Sequence, residues 1–143
     1  MPFAGIILFS PWLDLTVESP GYARCAATDI MFSEASARKG ADAYLQGADP
    51  RHPLASPLFA DVSGLPALTL LMSTDEVLAD DCMALAHRLL IERLPFQLVA
   101  VPGVPHVWPM LDPTSIHSNQ ALSTLGHVID QALARRTEAV QAC

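Results

Sequence analysis

Three short apolar runs constrain this chain more than anything else in it: "FAGIILFS" (3–10), "PALTLLMS" (66–73) and "FQLVAVPG" (96–103). A strand with one wet face alternates apolar and polar residues. An unbroken run suits a strand covered on both faces, and such strands belong to parallel sheets flanked by helices. Between the second and third runs lies "DDCMALAHRLLIERL" (80–94), in which Cys82, Leu85, Ala86, Leu89 and Leu90 recur at helical spacing. Asp80 and Asp81 stand at its start, where acidic side chains cap a helix and meet its dipole. Residues 66–101 therefore read as strand, helix, strand, a single crossover of right-handed sense.

The remaining chain is organised around this unit. "SNQALSTLGHVIDQALARR" (118–136) predicts a closing amphipathic helix that buries Leu122, Leu125, Val128, Ile129 and Leu133, with Arg135 and Arg136 complementing the dipole at its end. From Leu13 to Pro66 the chain is rich in proline, serine and aspartate and reads as a long structured excursion with one helix, "SEASARKGADAYLQG" (33–47). Three parallel strands with two or three helices leave one sheet edge bare and one face thinly covered. The first strand also begins almost at Met1. The expected fold class is therefore α/β with an incomplete sheet, the C-terminal part of something larger.

Composition excludes several functions. Apolar residues make up 51% of the chain, enough for a packed core and too many for disorder. Eight basic residues against 15 acidic ones give a net charge of −7, with no lysine or arginine cluster to hold nucleic acid or an anionic membrane. Cys25, Cys82 and Cys143 are odd in number and far apart, without metal-binding or redox spacing, which suits a reducing, cytoplasmic setting. "AGIILF" is too short for a signal-peptide core or a bilayer span.

In open parallel sheets, catalytic groups gather at the carboxyl ends of strands. The second run ends in "STDEVLADD" and the third in "PGVPH". One end supplies Asp75 and Glu76 and the other His106, so carboxylate and imidazole face the same crevice. Acid before histidine is the chain order of a Ser-Asp/Glu-His triad on an α/β sheet. There the carboxylate fixes the imidazole tautomer and the imidazole moves the serine proton. The plain alternatives are a histidine packed in a turn and a carboxylate at a helix start. His52, His87, His117 and His127 show no partner spacing, and an Asp/His metal site lacks a second ligand pair.

"SPWLDLT" (10–16), "YLQGADPRHPLASPLFADVSGLP" (44–66), "STDEVLADD" (73–81) and "PGVPHVWP" (102–109) occur here in order. Together they resemble the C-terminal half of the hormone-sensitive-lipase-like esterases, a family of α/β-hydrolases, over nearly the whole chain. The resemblance puts the catalytic acid on Glu76, with Asp75 as the alternative, and the base on His106. It also makes Val107 and Trp108 candidates for lining the substrate pocket. It implies carboxylic-ester hydrolysis, a small ester substrate, no cofactor and a homodimer through residues 96–101 and 115–136. It reads "SPWLDL" as structural, with Trp12 packing and Asp14 pinning a loop.

Neither a Gly-x-Ser-x-Gly nucleophile elbow nor a His-Gly-Gly-Gly oxyanion loop occurs in the 143 residues. Ser10, Ser56, Ser73 and Ser123 all lack the elbow context. The expectation is one partial domain over residues 1–143, carrying the acid and base of a triad and inactive by itself. The alternatives are a non-catalytic binding or assembly module and one half of a split hydrolase.

Overall fold

The computed structural model describes residues 3–141, with side chains to Arg135; Cys143 and the side chain of Arg136 lie outside the described residues. In chain order the elements are β1 (Ile6–Phe9), α1 (Gly21–Arg24), α2 (Glu34–Leu45), a short 3-10 turn (Pro57–Phe59), β2 (Leu68–Ser73), α3 (Ala79–Ile91), β3 (Phe96–Val101), α4 (Trp108–Leu111) and α5 (Ile116–Gln141). The strands pair in parallel in the order β1-β2-β3, with Leu68 between Ile6 and Phe96 and Leu71 between Phe9 and Val99. Burial on both faces, expected of all three runs, is complete only for β2. β1 is half-buried throughout, and β3 exposes Gln97 and Ala100. The reason is position: β2 has a neighbour on each side, whereas the outer edges of both β1 and β3 lack a strand among the described residues. One bare edge was expected; there are two.

Each face of the sheet is covered by a different helix. Leu8, Leu70, Met72 and Leu98 pack against Cys82, Leu85, Ala86 and Leu89 of α3. Phe9, Leu71, Val99 and Val101 pack against Trp108, Ala121 and Leu125 on the other side. Burial raises the Cys82 thiol to about 12, so it serves as a small core residue rather than a nucleophile. Two expected helix stripes need correction. Leu90 is exposed, because Leu85 and Leu89 occupy the face of α3 that meets the sheet and Leu90 lies beyond its edge. On α5 the covered line is Ser118, Ala121 and Leu125, with Val128 half-buried. Leu122, Ile129 and Leu133 are exposed. Ala121 and Leu125 take the face of α5 that meets the sheet, which leaves the other leucine and isoleucine positions outward.

The excursion forms its own small core. Ser33 and Ser36 cap α2 reciprocally, each side chain accepting from the other's backbone N–H. α2 ends at Gln46 in the left-handed conformation. Ala37 and Ala41 of α2 pack with Leu15, Val17, Tyr22 and Cys25 against Val77 and Leu78. Trp12 packs at the edge of this cluster and donates its indole N–H to the Asp14 carbonyl, while the Asp14 carboxylate accepts from Thr16 N–H. No described helix is long and apolar enough to cross a membrane.

The start of α3 departs from the capping expectation. Leu78 occupies the N-cap without a side-chain bond. Asp80 pairs with Arg24, and the buried Asp81 accepts the backbone N–H groups of Leu13 (2.8 Å) and Asp14 (2.9 Å). The segment leaving β1 crosses the helix start and brings two unpaired donors, which draw this carboxylate away from the cap. Loss of hydration is the largest influence on Asp81 and pushes its pKa from 3.8 up to about 6, against the two hydrogen bonds. An acid whose folded pKa is raised holds its proton longer in the folded state. Its ionisation then costs stability progressively as pH rises from about 4 to 6, by an amount of order 3 kcal/mol. Asp81→Asn keeps an acceptor for both N–H groups and removes this cost. Thermal melts from pH 4 to 7 should show the variant gaining on the wild type as pH rises; parallel curves would contradict the assignment.

Candidate active site

The site is built where β2 and β3 end side by side, Ser73 opposite Val101. Three hydrogen bonds lash the two following loops together. Thr74 N–H donates to Val101 O (3.0 Å), Gly103 N–H donates to the Asp75 carboxylate (2.6 Å), and Ser73 Oγ donates to Val104 O (2.6 Å). Gly103 sits at φ +72°, the left-handed region that the tight turn after Pro102 requires. Asp75 is thus consumed in holding the histidine loop. The next residue, Glu76, points the other way and is 1% exposed.

Glu76 Oε2 lies 2.9 Å from His106 Nδ1. With the carboxylate ionised it can only accept, which requires the hydrogen on Nδ1 and, in a neutral ring, leaves the lone pair on Nε2. Nε2 has no hydrogen-bond partner among the described residues, and the imidazole is one-tenth exposed. Glu76 Oε1 is buried and likewise without a hydrogen-bond partner among them. The acid therefore directs its one hydrogen bond to His106. Of the two adjacent carboxylates, Glu76 meets the imidazole and Asp75 does not. Val77 and Leu78, which follow the acid, are buried in the excursion's core, so this core braces the acid from behind.

The histidine loop is held under strain. Val107, a β-branched residue, adopts φ +49°, and Ser10 at the carboxyl end of β1 adopts φ +44°. Such conformations cost on the order of 1–2 kcal/mol per residue. The two face each other: Val107 N–H donates to Ser10 Oγ at 3.1 Å. Val107 is half-buried. Trp108 is 2% exposed, and its indole packs with Leu71, Val104, Ala121 and Leu125. The other histidines, His52, His87, His117 and His127, are all exposed.

Three residues at the site carried no recognisable signal in the sequence reading. Ser10 receives the N–H beside the histidine, from 97 positions away. Asp29 accepts from Met31 and Phe32 N–H through one oxygen and from Val77 N–H through the other, each at 2.9 Å. The Phe32 ring stands edge-on to the His106 ring, centroids 4.7 Å apart. An Asp two residues before a backbone donor marks a local turn, but nothing in the spacing announces a partner at Val77.

Comparison with known proteins places these observations in a family. Residues 1–110 match the family described as alpha/beta hydrolase fold. An acetyl-hydrolase of Streptomyces hygroscopicus is 37% identical over 123 residues, 86% of this chain and 41% of the relative. The crystal structure of EstE5 soaked in ethyl alcohol superposes with a TM-score of 0.87 at 33% identity, covering 94% of this chain and 46% of EstE5. An esterase from the bacterial hormone-sensitive lipase family gives a TM-score of 0.86 at 31% identity, over 90% of this chain and 43% of its own. The chain thus spans less than half the length of these relatives.

The close fit behind the acid is testable at Gly21. A Cβ there would lie 2.5 Å from the carbonyl oxygen of Val77. Gly21→Ala must therefore move α1 or the residue next to Glu76, at a cost of about 1–3 kcal/mol. Gly126, in α5, has open space around it. Gly126→Ala should be neutral or stabilising by up to about 1 kcal/mol. Thermal melts that show equal effects for the two substitutions would refute the packing argument.

Proposed function

The chain belongs to the alpha/beta-hydrolase family, and from that premise we propose that it supplies the acid and base of a serine carboxylic-ester hydrolase. The observation that carries this reading is the 2.9 Å contact between His106 Nδ1 and a Glu76 carboxylate that is 1% exposed. Glu76 holds the ring in one tautomer and balances its charge when it is protonated. His106 Nε2 takes the proton of an attacking serine and passes it to the leaving alcohol, and water then releases the acyl group by the same route. Val107 belongs to the wall around the substrate through its half-buried side chain, and Trp108, 2% exposed, supports the loop from the core. The names of the relatives, acetyl-hydrolase and esterase, favour a small, short-acyl ester.

The serine comes from outside these 143 residues, because no Gly-x-Ser-x-Gly occurs among them. On this reading residues 1–143 are part of one catalytic domain whose other part bears the nucleophile and the oxyanion donors. A homodimer would form by pairing the outer edge of β3 and packing α5 against a second copy, which sedimentation would reveal.

The test is hydrolysis of a short-acyl chromogenic ester. The 143-residue protein alone should show no turnover above its His106→Ala and Glu76→Gln variants. Completed by the Gly-x-Ser-x-Gly-bearing part of a relative, it should gain turnover. His106→Ala should lower that turnover roughly a thousandfold or more, and Glu76→Gln by at least about a hundredfold. Turnover of the completed protein that both variants retain would overturn the reading. Turnover by the chain alone, lost in both, would place the nucleophile within these residues.

A further inference from the structure

The Glu76–His106 pair is gripped by a segment far from it in sequence, and the grip runs through a single carboxylate. Asp29 Oδ1 accepts from Met31 and Phe32 N–H, which folds residues 29–32 into a tight turn. Its other oxygen accepts from Val77 N–H, the residue after the acid, at 2.9 Å. The same turn delivers the Phe32 ring edge-on to the imidazole, with centroids 4.7 Å apart and planes at 64°. Beside it, Thr28 Oγ donates to the carbonyl of Asp75 at 2.8 Å, the residue before the acid. The acid is therefore held by the backbone on both sides of it, and the base by a ring, all from residues 28–32.

We propose that Asp29 and Phe32 are positioning residues for the acid–base pair. Asp29 ties the backbone that aims Glu76 to the backbone that aims Phe32. Phe32 then restricts rotation of the His106 ring and shields the Nδ1–H···Oε2 bond from water. Phe32 acts through the histidine and Asp29 through both partners; neither takes part in bond making. The geometry favours this over simple packing for two reasons. All three Asp29 bonds go to backbone N–H groups, two in its own turn and one in the loop that carries Glu76. Phe32 is half-buried at the edge of the excursion's core, not at its centre, and its ring meets the imidazole edge-on.

The proposal rests on the acid–base reading above, so the test separates the two. The readout is the Nδ1 proton of His106, followed by NMR of the labelled protein through its downfield resonance and its exchange with water. This requires no turnover. The wild type should show a protected proton that Glu76→Gln abolishes. Phe32→Leu should keep the melting temperature within a few degrees yet speed exchange about three- to tenfold, the range expected for an aromatic pair. Phe32→Tyr should restore protection. Asp29→Asn leaves one accepting oxygen for two loops and should also speed exchange, with Asp29→Glu failing to rescue it because the longer side chain cannot close the same turn. Unchanged protection in folded Phe32→Leu and Asp29→Asn would overturn the proposal while leaving the acid–base pair intact. A wild-type proton that does not depend on Glu76 would overturn the acid–base reading, and the positioning proposal with it.

Discussion

A carboxylate that is 1% exposed needs a partner, and Glu76 has one, His106. Burying a charge without compensation is far more costly than any single packing contact in the domain. The loops around this pair are arranged so that the partner is always within reach. Ser73 and Asp75 tie the strand-two exit to the strand-three exit. Ser10 ties the far side of the histidine loop to the end of strand one. The single imidazole is thus fixed relative to all three strands of the sheet.

The cost of this precision is visible in the backbone. Ser10 and Val107 both occupy the left-handed region without being glycine, and they are joined by the hydrogen bond that holds the histidine loop. Strain at such positions persists only where the surroundings over-determine it. Here the surroundings are a buried strand on one side and the Trp108 core on the other. The contrast with Asp81 is instructive. That carboxylate is also buried, but its hydrogen-bond partners among the described residues are two backbone N–H groups, and burial raises its pKa. Burial is common to both carboxylates; what separates them is that Glu76 meets an imidazole, a group that can carry a proton.

Much of the fold was legible because its signals are local. Three apolar runs without alternation announced parallel strands, and the spacing of Cys82, Leu85, Ala86 and Leu89 announced the helix between two of them. Errors arose where a helix face is chosen by its neighbours. Leu90, Leu122, Ile129 and Leu133 sit on plausible apolar stripes, yet the helices are rotated so that smaller residues such as Ala121 meet the sheet. Asp80 and Asp81 do lie in the first turn of α3, as expected, but neither caps it, because Arg24 and the backbone of residues 13–14 compete with the helix end for their oxygens, and both competitors arrive from more than fifty residues away.

The sequence by itself determined the strand type, the order of carboxylate before histidine, and their placement at neighbouring strand ends. All three follow from patterning and from the rule that loops at the carboxyl ends of parallel strands share a crevice. Strand patterning left two adjacent carboxylates open; the resemblance favoured Glu76, and only the tertiary structure shows that Glu76 meets the imidazole and that Asp29, Phe32 and Ser10 surround it. The physical reason is that a one-residue difference in direction, Asp75 toward Gly103 and Glu76 toward His106, is set by loop hydrogen bonds that join distant segments. No local propensity encodes such a choice; it exists only once β2 and β3 are paired and the excursion is packed behind them.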